Sequence, residues 1–337
     1  MTQTSPNPAP ASPAWRARRV PANLRADAAA ALVGPEAGEP LAAGRRFVQA
    51  APSFGIDLNL MFATMDPGRR PVIGHVALGV VGAGRTAMMF VSSGHRVSDD
   101  QAERVAAVES LCTALEGLGR VRIAQALPEP GEVGLVRSLV SAGFRVLGDL
   151  AYMRRPLSRA DRDAEAPDLP RGLVLRQVIS IERGDADRAL LASALERSYE
   201  DTLDCPELCG LRRIEDVIDS HKATGEWRSD LWWLVLAGDR AEGCVLLNHC
   251  PEQGSVELVY LGLSSSIRGR GVGRAVMERA IPRAARIGAS SITCAVDRRN
   301  APAIALYQRL GFREFSSRTA LVRAFDDAPP DAGAIPT

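Results

Sequence analysis

The pattern of apolar and polar positions changes period several times along the chain, and it does so twice in the same order. Residues 72–79, Val-Ile-Gly-His-Val-Ala-Leu-Gly, make a β-type run; a helical pattern follows over 100–119, then a second β run, Val-Arg-Ile-Ala-Gln-Ala-Leu, over 121–127. Ala-Glu-Gly-Cys-Val-Leu-Leu-Asn over 241–248, a helical run over 273–288 and Ser-Ser-Ile-Thr-Cys-Ala-Val over 290–296 repeat that order, pairing Gly74 with Gly243, Gly119 with Gly288 and Ile123 with Ile292. A Gly-Phe pair follows each copy, ending at Phe144 and at Phe312. Each half therefore reads as strand, strand, helix, strand, helix, strand, which predicts an α+β unit present in duplicate.

Between Leu157 and Arg171 the chain is charged, Pro-containing and nearly free of apolar residues, the composition of a solvated linker. A new strand is expected over 173–178. Helices follow over 186–200, where Leu190, Leu191, Ala194 and Leu195 recur at helical spacing, and over 214–222. A hairpin over 231–236 and 244–247 turns near Gly238-Asp239, and a further strand runs over 256–263. The expected organisation is a disordered tail over 1–14, a first domain over 15–157, a linker over 158–171, a second domain over 172–325 and a disordered tail over 326–337.

Composition adds little but exclusions. At 337 residues with 46% hydrophobic positions, the chain suits two domains with sizeable cores. Lys+Arg at 41 against Asp+Glu at 40 gives a net charge of +1, so no overall field points to nucleic acid or an anionic membrane. No apolar run approaches the ~20 residues that span a bilayer, and residues 1–13 lack the apolar centre of a signal peptide. The Arg-rich stretch 15–25 resembles a transit segment in composition, yet arginines before a first strand are commonplace; the expected location is the cytoplasm. Six scattered cysteines, four of them in or beside apolar runs, fit a reducing compartment. Cys205 and Cys209, with His221 and His249 downstream, invite a zinc reading, but their spacing and the missing second pair fit structural zinc sites poorly, and no metal is expected.

The chemistry concentrates after the strand that ends at Leu263. Ser264-Ser-Ser-Ile-Arg-Gly-Arg-Gly-Val-Gly273 leads directly into a helical run. A Gly-rich turn between strand and helix converges backbone N–H groups on an anion at the positive end of the helix dipole, and phosphate is its natural guest. Gly271 and Gly273 permit close backbone approach, while Arg268, Arg270 and Arg274 add positive charge. The P-loop is excluded because no Gly-Lys-Ser/Thr follows, and a dinucleotide fingerprint fits badly for want of a suitably placed acidic residue in a βαβ unit. Downstream, a strand over 292–296 leads to Asp297-Arg-Arg-Asn300 and to a helix, Ala301-Pro-Ala-Ile-Ala-Leu-Tyr-Gln-Arg-Leu310, stopped by Gly311.

Arg268-x-x-Gly271-x-Gly273, then Asn300, then Ala305-Leu-Tyr-Gln-Arg-Leu-Gly-Phe312 resembles, in spacing and order, the GCN5-related N-acetyltransferase (GNAT) superfamily. The resemblance implies tandem acyl-CoA N-acyltransferase folds, each a mixed, mostly antiparallel sheet flanked by helices. It implies that acetyl-CoA is the co-substrate, with Leu261, Gly262 and Leu263 pairing with pantetheine through their backbone. The loop Arg268, Gly269, Arg270, Gly271, Val272, Gly273 and Arg274 would hold the pyrophosphate, and Asn300 would bond the pantetheine arm. A backbone N–H of the splayed strand would stabilise charge developing on the thioester oxygen, and Tyr307 would protonate the departing thiolate.

An amine near pKa 10 must lose a proton before attack, so a carboxylate is the expected base. Glu257 is the first candidate, sharing a face with Val259, Leu261 and Leu263 in a regular strand, although a bulge would rotate it; Tyr260 and Glu242 are weaker ones. Transfer is expected to be direct, in a ternary complex, with Cys294 a core thiol. Each residue also has a plainer reading: Tyr307 as a packed aromatic, Asn300 as a helix N-cap, the arginines as a solvated face.

The first half keeps the layout without the motif. Ser92-Ser-Gly-His-Arg-Val-Ser-Asp-Asp100 has one glycine and ends in two acids that would repel pyrophosphate. This half reads as a degenerate copy that completes the acceptor cleft or replaces a dimer partner, a tandem architecture similar to that of mycothiol synthase. Glu200, Asp201, Asp204 and Glu207 lie where the family builds its acceptor wall and would attract a cationic amine, or are simply exposed loop carboxylates. Trp232 and Trp233 are expected in the core, and Trp227 either lines a pocket or fills the core. A small-molecule amine is the leading acceptor for a monomer or homodimer with no nucleic-acid or membrane partner. A protein N-terminal or lysine acetyltransferase and a non-catalytic acyl-CoA sensor or interaction protein are the alternatives.

Overall fold

The computed structural model describes residues 16–33, 39–65, 72–93 and 101–325. The expectations for the two terminal tails and for the acidic part of the 92–100 loop lie outside the described residues. The chain divides into two units, Met1–Gly79 with Phe90–Leu115 and Arg137–Ala142, and Val80–Met89 with Glu116–Val136 and Gly143–Thr337.

In the first unit β1 (Ala17–Arg19) pairs antiparallel with β2 (Met61–Met65), and β2 with β3 (Ile73–Val81). Helix α1 (Arg25–Val33) buries four consecutive alanines and crosses α2 (Pro40–Ala50) at Gly44, where a Cβ would meet the Ala26 carbonyl oxygen at 2.2 Å. Only glycine permits that approach. Helix α3 (Gln101–Gly117) covers the sheet with Leu111 and Leu115, which pack against Gly79. Its buried Glu103 accepts a hydrogen bond from the Thr64 hydroxyl, which itself accepts the His75 N–H at 2.9 Å. A buried carboxylate is tolerable only with such partners.

The second unit contains most of β4 (Thr86–Val91), β5 (Ile123–Ala126), part of α4 (Val133–Ser141), β6 (Arg145–Pro156), α5 (Arg159–Asp163) and β7 (Val174–Gln177). It continues through α6 (Ala186–Tyr199), α7 (Ile214–Lys222), β8 (Trp232–Ala237), β9 (Arg240–Cys250), β10 (Ser255–Leu263), α8 (Val272–Arg286), β11 (Ser291–Asp297), α9 (Ala301–Arg309) and β12 (Arg313–Ala324). Its sheet runs β5-β12-β6-β11-β10-β9-β8-β7, antiparallel except for β10 against β11, with β4 parallel to β5. The last strand of each sequence repeat is thus exchanged. β6 pairs along β11 from Ser291↔Pro156 to Asp297↔Leu150, while β12 lies between β6 and β5.

The segment read as a linker is solvent-facing and carries α5, capped by a Ser158–Asp161 capping box. Arg286 and Arg279 of α8 donate to the carbonyls of Arg162 and Pro167 and hold it down. Trp232 is fully buried among Leu191, Leu195 and Val245, and its indole N–H donates to Asn248 Oδ1 at 2.8 Å. Trp233 is half-buried against the same core, and Trp227 packs edge-on against Trp232 with ring centroids 6.2 Å apart. Among the described residues no helix is long and apolar enough to cross a membrane.

Trp232→Phe keeps an aromatic in the core but opens a void and leaves the Asn248 carbonyl oxygen without its donor. The substitution is expected to cost about 2–4 kcal/mol, read as a lowered urea midpoint with the far-UV spectrum unchanged.

Candidate active site

The β10–β11 ladder covers only Ser255↔Ser291, Val256↔Ile292 and Glu257↔Thr293, although both strands run on. Beyond that point β10 stays paired to β9 as far as Leu263↔Gly243, with one extra residue, Val259, bulged against Leu246 and Leu247. The two parallel strands therefore part, and a cleft of about 180 Å³ opens between Leu261–Gly262–Leu263 on one side and Asn300 and Tyr307 on the other. Gly262 is required here. A Cβ would lie 2.6 Å from both the Tyr260 hydroxyl, which folds back over the strand, and the Ser198 hydroxyl that bonds it.

At one mouth of the cleft Gly271 caps α8 in a left-handed conformation (φ 78°), with no side chain bonded to the helix start. The first-turn N–H groups of Val272, Gly273 and Arg274 consequently have no intrahelical acceptor and are available to an anion. Arg270 is exposed and has no ion pair among the described residues, whereas Arg274 pairs with Glu278 at 2.7 Å. Arg268 is used differently. It donates to the carbonyls of Leu263 (2.8 Å), Ser198 (2.7 Å) and Asp201 (3.1 Å), so it ties the loop to the end of α6 while its charge stays beside the cleft.

Asn300 is both N-cap and cleft residue. Its side-chain oxygen accepts the Ala303 N–H at 3.3 Å, and it lines the cavity. Tyr307, on α9, is buried against Phe312, and burial pushes its hydroxyl well above the usual tyrosine value. Its hydroxyl has no hydrogen-bond partner among the described residues, so it remains a protonated donor aimed at nothing else.

A second cavity of about 420 Å³ shares Asp204, Val259, Tyr260 and Ala295 with the cleft, so the two meet at the bulge. Glu257 lines a third, of about 380 Å³, with Thr293, Tyr152 and Arg154. Side chains alternate along strands, so Thr293 and Ala295 of β11 share a face, as do Leu150, Tyr152 and Arg154 of β6. Glu257 thus faces the same side of the sheet as the second cavity, one step along it, and the structure does not bring it into one cavity with Tyr307. Loss of solvent raises its carboxyl above the usual range. Glu242 is committed elsewhere: Ser264, Ser266 and Arg197 donate to it, and although burial pushes its pKa up, those bonds hold it low.

Of the four loop acids, Asp201 and Asp204 line the cleft, and Asp204 alone also reaches the second cavity. The loop is fastened by Asp297, which is fully buried at the end of β11. Asp297 accepts the Cys205 N–H (3.1 Å) and the Arg299 guanidinium (2.7 Å), while its own N–H donates to Asp204 Oδ1 (2.9 Å). Arg299 reaches on to Glu207 at 2.6 Å. The clamp holds Asp201 and Cys205 at φ of 51° and 44°, conformations that non-glycine residues adopt only when their surroundings impose them. Sequence reasoning did not single out this clamp, nor Arg212 in the second cavity, and it weighed His221 only as a metal ligand beside Cys205 and Cys209, which line the same cavity; Asp297 and Arg299 were visible only as neighbours of Asn300.

Residues 195–312 match the model of the acetyltransferase (GNAT) family. The chain is 30% identical over 188 residues to the mycothiol acetyltransferase of Jonesia denitrificans, covering 53% of this chain and 55% of that one. It is 30% identical over 100 residues to the uncharacterized N-acetyltransferase YvbK of Bacillus subtilis, covering 29% and 60%. The matches thus span little more than half the length of these curated relatives. A GCN5-related N-acetyltransferase from Sphaerobacter thermophilus superposes with a TM-score of 0.57 at 18% identity, covering 93% of this chain and 96% of that one. The mixed, mostly antiparallel sheet flanked by helices expected from the sequence is the fold present.

Burial pushes the Asp297 carboxyl up, but the Arg299 and Cys205 bonds outweigh it and hold the value below the usual range. A carboxyl depressed in the folded state stabilises fully above its unfolded value and loses that contribution as the pH falls through the folded one. Asp297→Asn is therefore expected to cost about 2–4 kcal/mol at pH 7 and progressively less below about pH 4, measured as the difference in denaturation midpoint from wild type across pH.

Proposed function

We propose that this chain moves the acetyl group of acetyl-CoA to the primary amine of a small molecule by direct transfer in a ternary complex, a reading supported by the match of residues 195–312 to the acetyltransferase (GNAT) family model. The observation that carries the reading is the parting of β10 from β11, with an uncapped helix start at one mouth and a cavity of about 420 Å³ at the other. A volume of that size suits a small acceptor.

The chain's own groups then divide the work. The N–H groups from Gly269 to Arg274 hold the pyrophosphate with Arg268 and Arg270 beside them, and the backbone edge of Leu261, Gly262 and Leu263 that faces away from β9 takes the pantetheine amides. Asn300 bonds the same arm. A backbone N–H at the Val259 bulge faces the thioester carbonyl and stabilises the charge that develops there. Tyr307 donates its proton to the departing sulfur. Glu257, with its raised carboxyl on the acceptor face, takes the amine's proton through water, since it lines the next cavity rather than the cleft.

Calorimetry of acetyl-CoA against the purified chain is expected to give one site per chain, lost in the Gly271→Glu, Gly273→Glu double variant with the fold retained; absence of binding by folded wild type overturns the reading. Tyr307→Phe removes a hydroxyl that no other group uses. It should leave the melting temperature and acetyl-CoA affinity unchanged while lowering kcat by about a hundredfold in a thiol-release assay.

A further inference from the structure

We infer that the acceptor is amphoteric: an apolar body with the reacting amine at one end, held by Asp204, and a carboxylate at the other, held by Arg212. The inference rests on the acetyl-transfer reading above and names the substrate class of the same site.

The second cavity has apolar walls, among them Leu150, Leu208, Ile214 and Val217. Against these walls stand charges of opposite sign. Asp204 lies on the edge shared with the thioester cleft, whereas Arg212 lines this cavity only. Glu196, the other acid on the lining, is exposed to solvent.

Arg212 differs from its neighbours. Arg188 pairs with Glu215 and Asp219, Arg197 with Glu242, and Arg299 with Asp297 and Glu207. Arg212 is half-buried and has no ion pair among the described residues. Its Nη2 donates to the Asp216 carbonyl oxygen at 2.9 Å, and its Nε is buried with no partner. The Asp216 carboxylate is within electrostatic reach but makes no ion pair with it, and one of its own oxygens is also buried without a partner. Loss of solvent lowers the Arg212 pKa, the sign of a cation poorly compensated where it stands. A carboxylate is the ligand group that best answers a guanidinium with donors to spare, because two parallel bonds can form.

The guanidinium is also held in advance. Gly84, at φ 66°, turns beneath it so closely that a Cβ would lie 2.7 Å from Nη2 and 2.0 Å from the Asp216 oxygen. His221 adds no second cation. Burial, with Arg212 nearby, pushes its pKa down to about 3, and the neutral ring stacks on Tyr260 at 5.4 Å. At the other end Asp204 lines both cavities, with one oxygen fixed by the Asp297 N–H and a further bond from Asn300; loss of solvent, with Asp297 close by, raises its carboxyl, and an entering ammonium supplies the compensating charge. The same charges reject polycations, which Arg212 repels.

The test compares 6-aminohexanoate and 4-(aminomethyl)benzoate, each beside its carboxamide, in a thiol-release assay with saturating acetyl-CoA. The acids are expected to exceed the amides about ten- to hundredfold in kcat/KM, the difference lying in KM. Arg212→Gln should erase the preference and Arg212→Lys should keep part of it, with melting curves confirming that both fold. Equal use of acid and amide by wild type, or an equal loss on both in Arg212→Gln, overturns the inference. So does a chain that binds acetyl-CoA yet neither acetylates any of the four nor binds them by calorimetry when loaded with CoA. Failure to bind acetyl-CoA overturns the transfer reading itself, and this inference with it.

Discussion

Everything at the site depends on two parallel strands ceasing to pair while both remain in the sheet. Unpaired backbone groups inside a sheet are costly, and a seam of this kind would close or fray unless each strand were fully held on its other side. β10 is held by β9 as far as Leu263, and β11 by β6 along its whole length, past the point where β10 leaves it. The gap is therefore a rigid feature of the sheet. The backbone groups it exposes are fixed donors and acceptors that a pantetheine amide can satisfy without rearrangement, and the bulge at Val259 sets where that backbone meets the second cavity.

Around the seam most charges are already answered within the chain. Glu242 is consumed by two serines and an arginine, Asp297 by Arg299 and the loop, and Arg268 by three carbonyls. These groups shape the walls. Fewer groups keep hydrogen-bonding capacity to spare: Arg270 beside the start of α8, Glu257 in its own cavity, and Asp204 and Arg212, each only partly engaged, along the second cavity. Around Glu257 and Arg212 low local solvent makes a charge count for more than one on the surface.

Much of this was legible in the sequence because it is local. The bounds of α6 and α7 follow from apolar period and the β8–β9 turn from Gly238-Asp239, although β9 spans Arg240–Cys250 rather than 244–247, and Gly271 marks the start of α8. The exchange of β6 and β12 was not legible. Both are half-buried alternating strands, and nothing in either dictates which distant edge it joins. A regular strand puts Glu257 on one face with Val259, Leu261 and Leu263, whereas in the structure it lines a neighbouring cavity, beyond a bulge that the apolar alternation of β10 does not encode. Arg212 was missed because a charged position beside a helix reads as solvated surface until the packing around it is known, and His221 was considered only as a metal ligand.

The exchanged strands also bear on how the chain is made. β5 and β6 lie in the first half of the sequence, yet the strand that fills the space between them, Arg313–Ala324, comes far later in the chain. On the ribosome that sheet remains incomplete until Arg313–Ala324 has emerged, with two strand edges open to wrong partners for the duration. The nascent first half therefore has reason to rely on chaperones.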